Sequence, residues 1–223
     1  MLQTHSEVSR SGYNPAFGAT PLDALNALGT RIVVRRGREV YAEGDPAKFC
    51  YKLISGSVRA VKQMADGHRQ ICEFLLPGGY LGFESQGEYY FGAEAVTDAV
   101  LISYPRQRVE RLIAENPAFA GEIRRLATRG LQSAYQRMVL LTHKSAEERM
   151  AWFLLELAER SENEDCIDLP MSRTDIADYL GMVIETVSRA LSQLKRAGTI
   201  AMKSVNRIQL IDRDMLEHVR GEI

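Results

Sequence analysis

The chain has 223 residues, a net charge of −1 at neutral pH, 45% hydrophobic residues and 26% charged residues. These are globular proportions, enough for one large or two modest domains, and they exclude a disordered or low-complexity chain. No apolar run approaches the roughly 20 residues of a membrane span, and the polar start MLQTHSEVSR has no apolar core of a secretory signal, so a cytoplasmic protein with no membrane partner is expected.

Residues 1–20 are polar with Ser, Gly and Pro and read as a mobile arm, followed by a short helix over 21–28 with Thr20 as its cap. From about 31 to 104 the pattern changes to short strands and glycine turns. Strands are predicted over 31–34, 39–41, 51–54, 57–62, 69–75, 93–95 and 100–104. Gly37, Gly44-Asp45, Gly56, Asp66-Gly67 and Gly78-Gly79 punctuate them, and Asp66-Gly67 is a strong hairpin signal. Many short strands at this spacing suggest a barrel or jelly roll.

From Pro105 to about Leu141 the pattern is helical, with one short helix over 107–114 and a longer one opening at Asn116-Pro117. In the longer helix Ala127, Leu131, Ala134, Met138 and Leu141 recur at a 4-3-4-3 spacing, which is a coiled-coil seam. Ala120 and Ile123 extend it with a register shift near Gly130. The same spacing would suit a helix packed on its own strands. Arg124, Arg125, Arg129 and Arg137 fall off the seam, which favours a homodimer. Residues 142–144 read as a hinge. An amphipathic helix follows over 146–160, with Met150, Phe153, Leu154 and Leu157 apolar and Trp152 as a packing anchor. Residues 161–168 read as an acidic, exposed loop.

The stretch SRTDIADYLGMVIETVSRALSQLKR, residues 172–196, reads as two short helices joined by a tight turn. Ser172 is a good N-cap, and Asp175 three residues later completes a capping-box-like pair. Ile176, Ala177 and Leu180 form one apolar stripe, and Gly181 follows where a left-handed residue is needed. The second helix opens near Val183 and buries Val187, Leu191 and Leu194. Strands over 200–203 and 207–211, joined by a turn at 204–206, make a wing, and a helix over 212–220 closes the domain.

The outward face of the second helix carries Glu185, Ser188 and Arg189. Arginine can donate a bidentate pair to guanine, glutamate can accept from cytosine, and serine can reach either kind of edge. An ordinary solvated ion pair between Glu185 and Arg189 is the plainer reading of those two residues alone. Between residues 172 and 213 the chain carries seven basic and four acidic residues, a locally positive surface on a near-neutral protein. Arg173, Thr174, Lys195, Arg196, Lys203 and Arg207 are the candidates for DNA-backbone contacts. The three cysteines, Cys50, Cys72 and Cys166, match no metal spacing, and their odd count suggests reduced thiols and not a disulfide framework. Cys166, in the acidic loop, is the best placed for oxidation, although acidic neighbours should raise its pKa.

Glu185-Thr-Val-Ser188-Arg189 resembles the recognition-helix motif of Crp/Fnr transcription regulators, in the Fnr and FixK branch. Residues 41–61, YAEGDPAKFCYKLISGSVRAV, resemble that family's β-roll signature, with Gly44, Asp45 and Gly56 in its turns. The resemblance covers most of the chain. It implies an α+β protein: an arm and short helix over 1–29, a cyclic-nucleotide-binding-type β-roll (jelly roll) over 30–114, a dimerisation helix over 115–142 and a winged helix-turn-helix over 143–223. It implies that the Glu, Ser and Arg read a TTGA-type half-site in double-stranded DNA, and that exposed β-roll loops, including 86–90, touch RNA polymerase.

Cyclic-nucleotide binders of the family use a Glu and an Arg-Ser or Arg-Thr pair. Here Glu84 could serve the ribose, but the phosphate-binding pair is missing and Glu94 falls near the expected phosphate position, so no cyclic nucleotide is expected. Residues 1–49 contain no cysteine, which argues against an iron–sulfur cluster; His68, the only histidine in the β-roll, sits beside a turn where an exposed polar residue is expected, which argues against an axial haem ligand, and one histidine is too few for a metal oxygenase. What remains is similar to FixK-like regulators, non-enzymatic, without a cofactor, and acting as activators in low-oxygen or nitrogen-fixation control. Two alternatives stay open: a family member gated by an unusual β-roll ligand such as haem, nitric oxide or another small molecule, and a cyclic-nucleotide-regulated enzyme subunit, for whose catalytic domain the remaining length leaves no room.

Overall fold

The computed structural model describes residues 22–221 except 23–24, 26–27, 84–86, 162 and 164. The expected arm, the Thr20 cap, much of the helix over 21–28, and Glu84 and Gln86 lie outside the described residues. Eight strands make the N-terminal part: β1 (Thr30–Val34), β2 (Glu39–Tyr41), β3 (Phe49–Ser55), β4 (Val58–Gln63), β5 (Arg69–Leu75), β6 (Tyr80–Leu81), β7 (Gly92–Ala95) and β8 (Ala99–Pro105). They form two antiparallel four-stranded sheets, in the orders β1-β8-β3-β6 and β2-β7-β4-β5.

Alternation builds this roll. In β8, Ala99, Leu101 and Ser103 are buried while Val100 and Ile102 are only half-buried. Leu53, Val58, Ala93, Ala95 and Leu101 meet in the core between the sheets. The predicted Asp66-Gly67 hairpin is present: Asp66 accepts from the His68 amide at 3.0 Å as β4 turns into β5. Gly56 is irreplaceable on two counts. Its φ is +84°, and a Cβ there would lie 2.2 Å from the Asp98 carbonyl. Strand β6 was not predicted, because two residues carry no readable alternation; pairing of Tyr51 and Lys52 with Leu81 and Tyr80 defines it.

Three helices follow: α1 (Arg106–Glu115), α2 (Pro117–His143) and α3 (Ala146–Glu159). Asn116 starts α2 by accepting from the Phe119 amide at 3.0 Å, with Pro117 in the first turn where a missing N–H does no harm. Phe119 is buried with Leu25, Tyr104 and Val109, which anchors the base of α2 to the roll. At 27 residues α2 is about 40 Å long. Lys144 and Ser145 are extended and separate it from α3. Among the described residues no helix is long and apolar enough to cross a membrane.

The C-terminal part comprises α3, β9 (Cys166–Asp168), α4 (Arg173–Leu180), α5 (Ile184–Arg196), β10 (Ile200–Ser204), β11 (Arg207–Leu210) and α6 (Arg213–Arg220). The expected acidic loop over 161–168 is therefore corrected at its end. Cys166, Ile167 and Asp168 pair antiparallel with Gln209, Ile208 and Arg207, giving a sheet ordered β10-β11-β9. Three residues show no period, and the partner strand lies about forty residues away in sequence. The core of this part reaches into the roll. Phe74 of β5 stands 5.0 Å from the Tyr179 ring and 6.4 Å from that of Phe153.

The start of α3 carries a capping box. The Ser145 amide donates to the Glu148 carboxylate at 2.8 Å, and Lys144 sits 3.1 Å from it. The Ser145 backbone and side chain, then Lys144, hold the Glu148 carboxyl down to about 2. Its folded value lies below its unfolded one, so its contribution is complete above pH 4.5 and fades as the pH falls toward 2. Glu148→Gln therefore lowers the melting temperature at neutral pH, and the gap from wild type closes on acidification through that window, as read by thermal denaturation across pH.

Candidate nucleic-acid interface

The interface is built on two consecutive helices. Ser172 caps α4, its hydroxyl accepting from the Asp175 amide at 3.1 Å, while Asp175 accepts from the Ser172 amide at 3.0 Å. Gly181 ends α4 at φ +60° and ψ +46°, a conformation that a β-carbon would strain. The chain then turns into α5, whose Val187, Ala190, Leu191 and Leu194 are buried and fix which face stays outside.

That outside face carries Glu185, Ser188 and Arg189, all exposed. Among the described residues neither Glu185 nor Arg189 has an ion-pair partner, so the plain i,i+4 pair is not made and both charged ends are available. The Ser188 hydroxyl donates to the Ile184 carbonyl at 3.0 Å, which leaves its lone pairs to accept. Val183 and Ile184 are exposed too, at 62% and 42%, and put apolar contacts beside the polar trio. They were missed in the sequence reading because an apolar residue at a helix start reads as core.

The backbone-contact candidates divide into two groups. Thr174, Lys195, Arg196 and Lys203 are exposed. Arg207 is likewise exposed, but both it and Arg173 make contacts within the fold. Arg173 is half-buried and donates to the Val205 carbonyl at 3.1 Å, bracing the turn between β10 and β11, and burial draws its guanidinium below the ordinary value. Arg207 lies 3.6 Å from Asp168 and 3.1 Å from the Cys166 sulfur. The surroundings expected for Cys166 are thus corrected: it sits on a strand beside a guanidinium, not in a wholly acidic loop.

Side chains from elsewhere hold the two helices in place, and none of these was anticipated. Arg149 of α3 donates to the carbonyls of Leu141 and Lys144 at the end of α2 (2.8 and 2.9 Å), and to those of Leu180 and Gly181 at the end of α4 (3.0 and 3.3 Å). Asp175, 4% exposed, receives Arg59 and Arg69 from the roll, each at 2.7 Å. Burial pushes its carboxyl up, but the Ser172 hydrogen bonds and the two guanidiniums outweigh this and hold it below the ordinary carboxylate range. Only the capping role of Asp175 was visible locally; its partners lie 106 and 116 residues away.

In the roll, Tyr41 stacks on Tyr89 with ring centroids 3.7 Å apart and on Tyr51 at 5.6 Å. All three are buried, and the Tyr89 hydroxyl donates to the Phe49 carbonyl at 2.8 Å. Glu94 lies on β7. It alternates with the inward Ala93 and Ala95, faces out of the roll, and pairs with Arg59 at 2.6 Å. On α2, Ala127, Leu131, Ala134 and Met138 are exposed, joined by Tyr135; Leu131, Tyr135 and Met138 are 52%, 57% and 57% exposed. Leu141 is half-buried and lies beside Gly181 of its own chain.

Comparison with known proteins agrees with this architecture. A family model described as a Crp-like helix-turn-helix domain matches residues 148–219, and one described as a cyclic nucleotide-binding domain matches residues 31–116. The nitrogen fixation regulation protein FixK of Azorhizobium caulinodans is 39% identical over 219 residues, which is 96% of this chain and 88% of that protein. FixK of Bradyrhizobium diazoefficiens is 40% identical over 84% of this chain and 81% of its own length. The solved structure of FixK2 from Bradyrhizobium japonicum superposes with a TM-score of 0.85 at 37% identity, covering 87% of this chain and 98% of that one.

Proposed function

The chain belongs to the Crp/Fnr family of DNA-binding, non-enzymatic transcription regulators and is FixK-like, and from that premise we propose that it is a homodimeric activator that reads a TTGA-type palindrome without a cyclic nucleotide or an iron–sulfur cluster. The observation that carries this reading is the unpaired Glu185 and Arg189 beside Ser188 on the exposed start of α5. Arg189 donates to guanine, Glu185 accepts from cytosine and Ser188 accepts from a base amine. Val183 and Ile184 suit a thymine methyl group. Thr174, Lys195, Arg196 and Lys203 contact phosphates and set the register, and Arg173 and Arg207 act there chiefly by shaping the wing.

The partner of the exposed stripe on α2 is a second copy. Leu131, Tyr135 and Met138 form an apolar face that a parallel helix would cover. A two-fold pair of recognition helices meets half-sites about one DNA turn, roughly 34–36 Å, apart. The cofactor-free reading is supported by the stacked Tyr41, Tyr51 and Tyr89, which occupy the interior of the roll. The exposed Tyr90, with Lys62 over its ring at 4.1 Å, marks the loop that would face RNA polymerase. Likeness to relatives named as nitrogen fixation regulation proteins supports a role in low-oxygen or nitrogen-metabolism control.

Purified protein with no added ligand is expected to bind a TTGA-N6-TCAA duplex tightly; binding that appears only after adding a cyclic nucleotide or haem would overturn the cofactor-free reading. Arg189→Ala weakens the matched site by about 1–3 kcal/mol and relaxes base choice there, whereas Lys195→Ala weakens all sequences alike and flattens the salt dependence by about one unit. Unchanged discrimination in Arg189→Ala would remove the base-reading role. Leu131→Asp is expected to yield monomers by sedimentation equilibrium; a dimer of undiminished stability would remove α2 as the interface.

A further inference from the structure

The roll and the helix-turn-helix are joined by a charged contact that DNA reading does not use. Arg69, at the start of β5, directs its guanidinium to two carboxylates of α4: Asp175 at 2.7 Å and Asp178 at 2.6 Å. These residues are one helical turn apart on one face. Arg59 on neighbouring β4 reaches the same Asp175 oxygen at 2.7 Å, and is itself held by Glu94 at 2.6 Å. The other Asp175 oxygen is saturated by the Ser172 amide and hydroxyl. The Gln70 side chain donates to the Asp178 carbonyl at 2.6 Å.

We propose that Arg69, backed by Arg59, is a positioning residue that sets the orientation of the recognition helix relative to the roll. An apolar contact such as Phe74 on Tyr179 tolerates sliding and rotation, because burial has no direction. A guanidinium fork on two carboxylates one turn apart does not. It fixes how far α4 stands from β5 and how α4 is rotated about its own axis. Since α5 packs on α4, its reading face turns with it. The contact leaves Glu185, Ser188 and Arg189 exposed, so it aims the reader without covering it. Partly buried ion pairs add little net stability, because desolvation offsets their attraction; geometry is what this one supplies.

The consequence rests on the dimeric reading above. A dimer gains on a palindrome over a single half-site only if its second helix is already aimed when the first is bound. The experiment compares affinity for a TTGA-N6-TCAA duplex with that for a duplex carrying one half-site. Wild type is expected to show a clear palindrome advantage. Arg69→Gln should cut that advantage about tenfold while half-site affinity stays at the wild-type level. Asp178→Arg should do the same. If Arg69→Gln keeps the full advantage, the positioning role is wrong. If it loses half-site affinity equally, Arg69 serves the fold of the reader and not its aim, which also overturns the proposal. A wild-type protein with no palindrome advantage would defeat the dimeric reading and this inference together.

Discussion

The structure turns on one side chain, Arg149. A helix ends with carbonyl groups that its own amides cannot reach, and their partial negative charge favours a cation. Two helices end side by side here: α2, which carries the exposed apolar stripe, and α4, against which the recognition helix packs. The Arg149 guanidinium donates to the carbonyls of both. Capping the two ends at once ties the helix-turn-helix to the long helix across a two-residue extended break at Lys144 and Ser145. Without that tie the break would be a joint. With it, the reading face has a defined direction relative to the helix that would carry the second copy.

The reading face is made by local rules. Ser172 and Gly181 mark the start and stop of α4, and a run of buried aliphatics along α5 decides what stays outside. Charged ends left without partners at an exposed helix start are worth little to folding. Glu185 and Arg189 are spaced for an ion pair and do not make one, so their hydrogen-bonding capacity stays free at the exposed surface. The basic residues around them differ in freedom. Lys195, Arg196 and Lys203 are solvated, Arg207 is exposed but held beside Asp168, and Arg173 is built into the wing. An unoccupied cation and a structural cation look alike in a sequence and separate only in three dimensions.

The roll has an aromatic interior and a charged outer face. Three stacked tyrosines lie in its core, and its outer sheet face meets the C-terminal part through Arg59 and Arg69. Glu94 shows how alternation assigns the two faces. In a β-strand a shift of one residue moves a side chain from inside to outside, and Ala93 and Ala95 take the inward positions. Turned outward, Glu94 holds Arg59, and Arg59 holds Asp175.

Periodicity and punctuation determined much by themselves. The strands at residues 39–41 and 69–75, the Asp66-Gly67 hairpin, the start of α2 at Asn116-Pro117, the capping box at Ser172 and the glycine turn were all legible, because each depends on neighbours within a few residues. The trio Glu185, Ser188 and Arg189 was legible for the same reason: helical spacing alone says which residues share a face with the buried stripe and which oppose it. Tertiary structure alone decided the rest. Strands β6 and β9 exist because distant strands pair with them. Arg149, Arg59 and Arg69 are indistinguishable from surface arginines until the chain brings helix ends and carboxylates to them. A hydrogen bond between groups a hundred residues apart leaves no period in a sequence, and those bonds set where the reading face points.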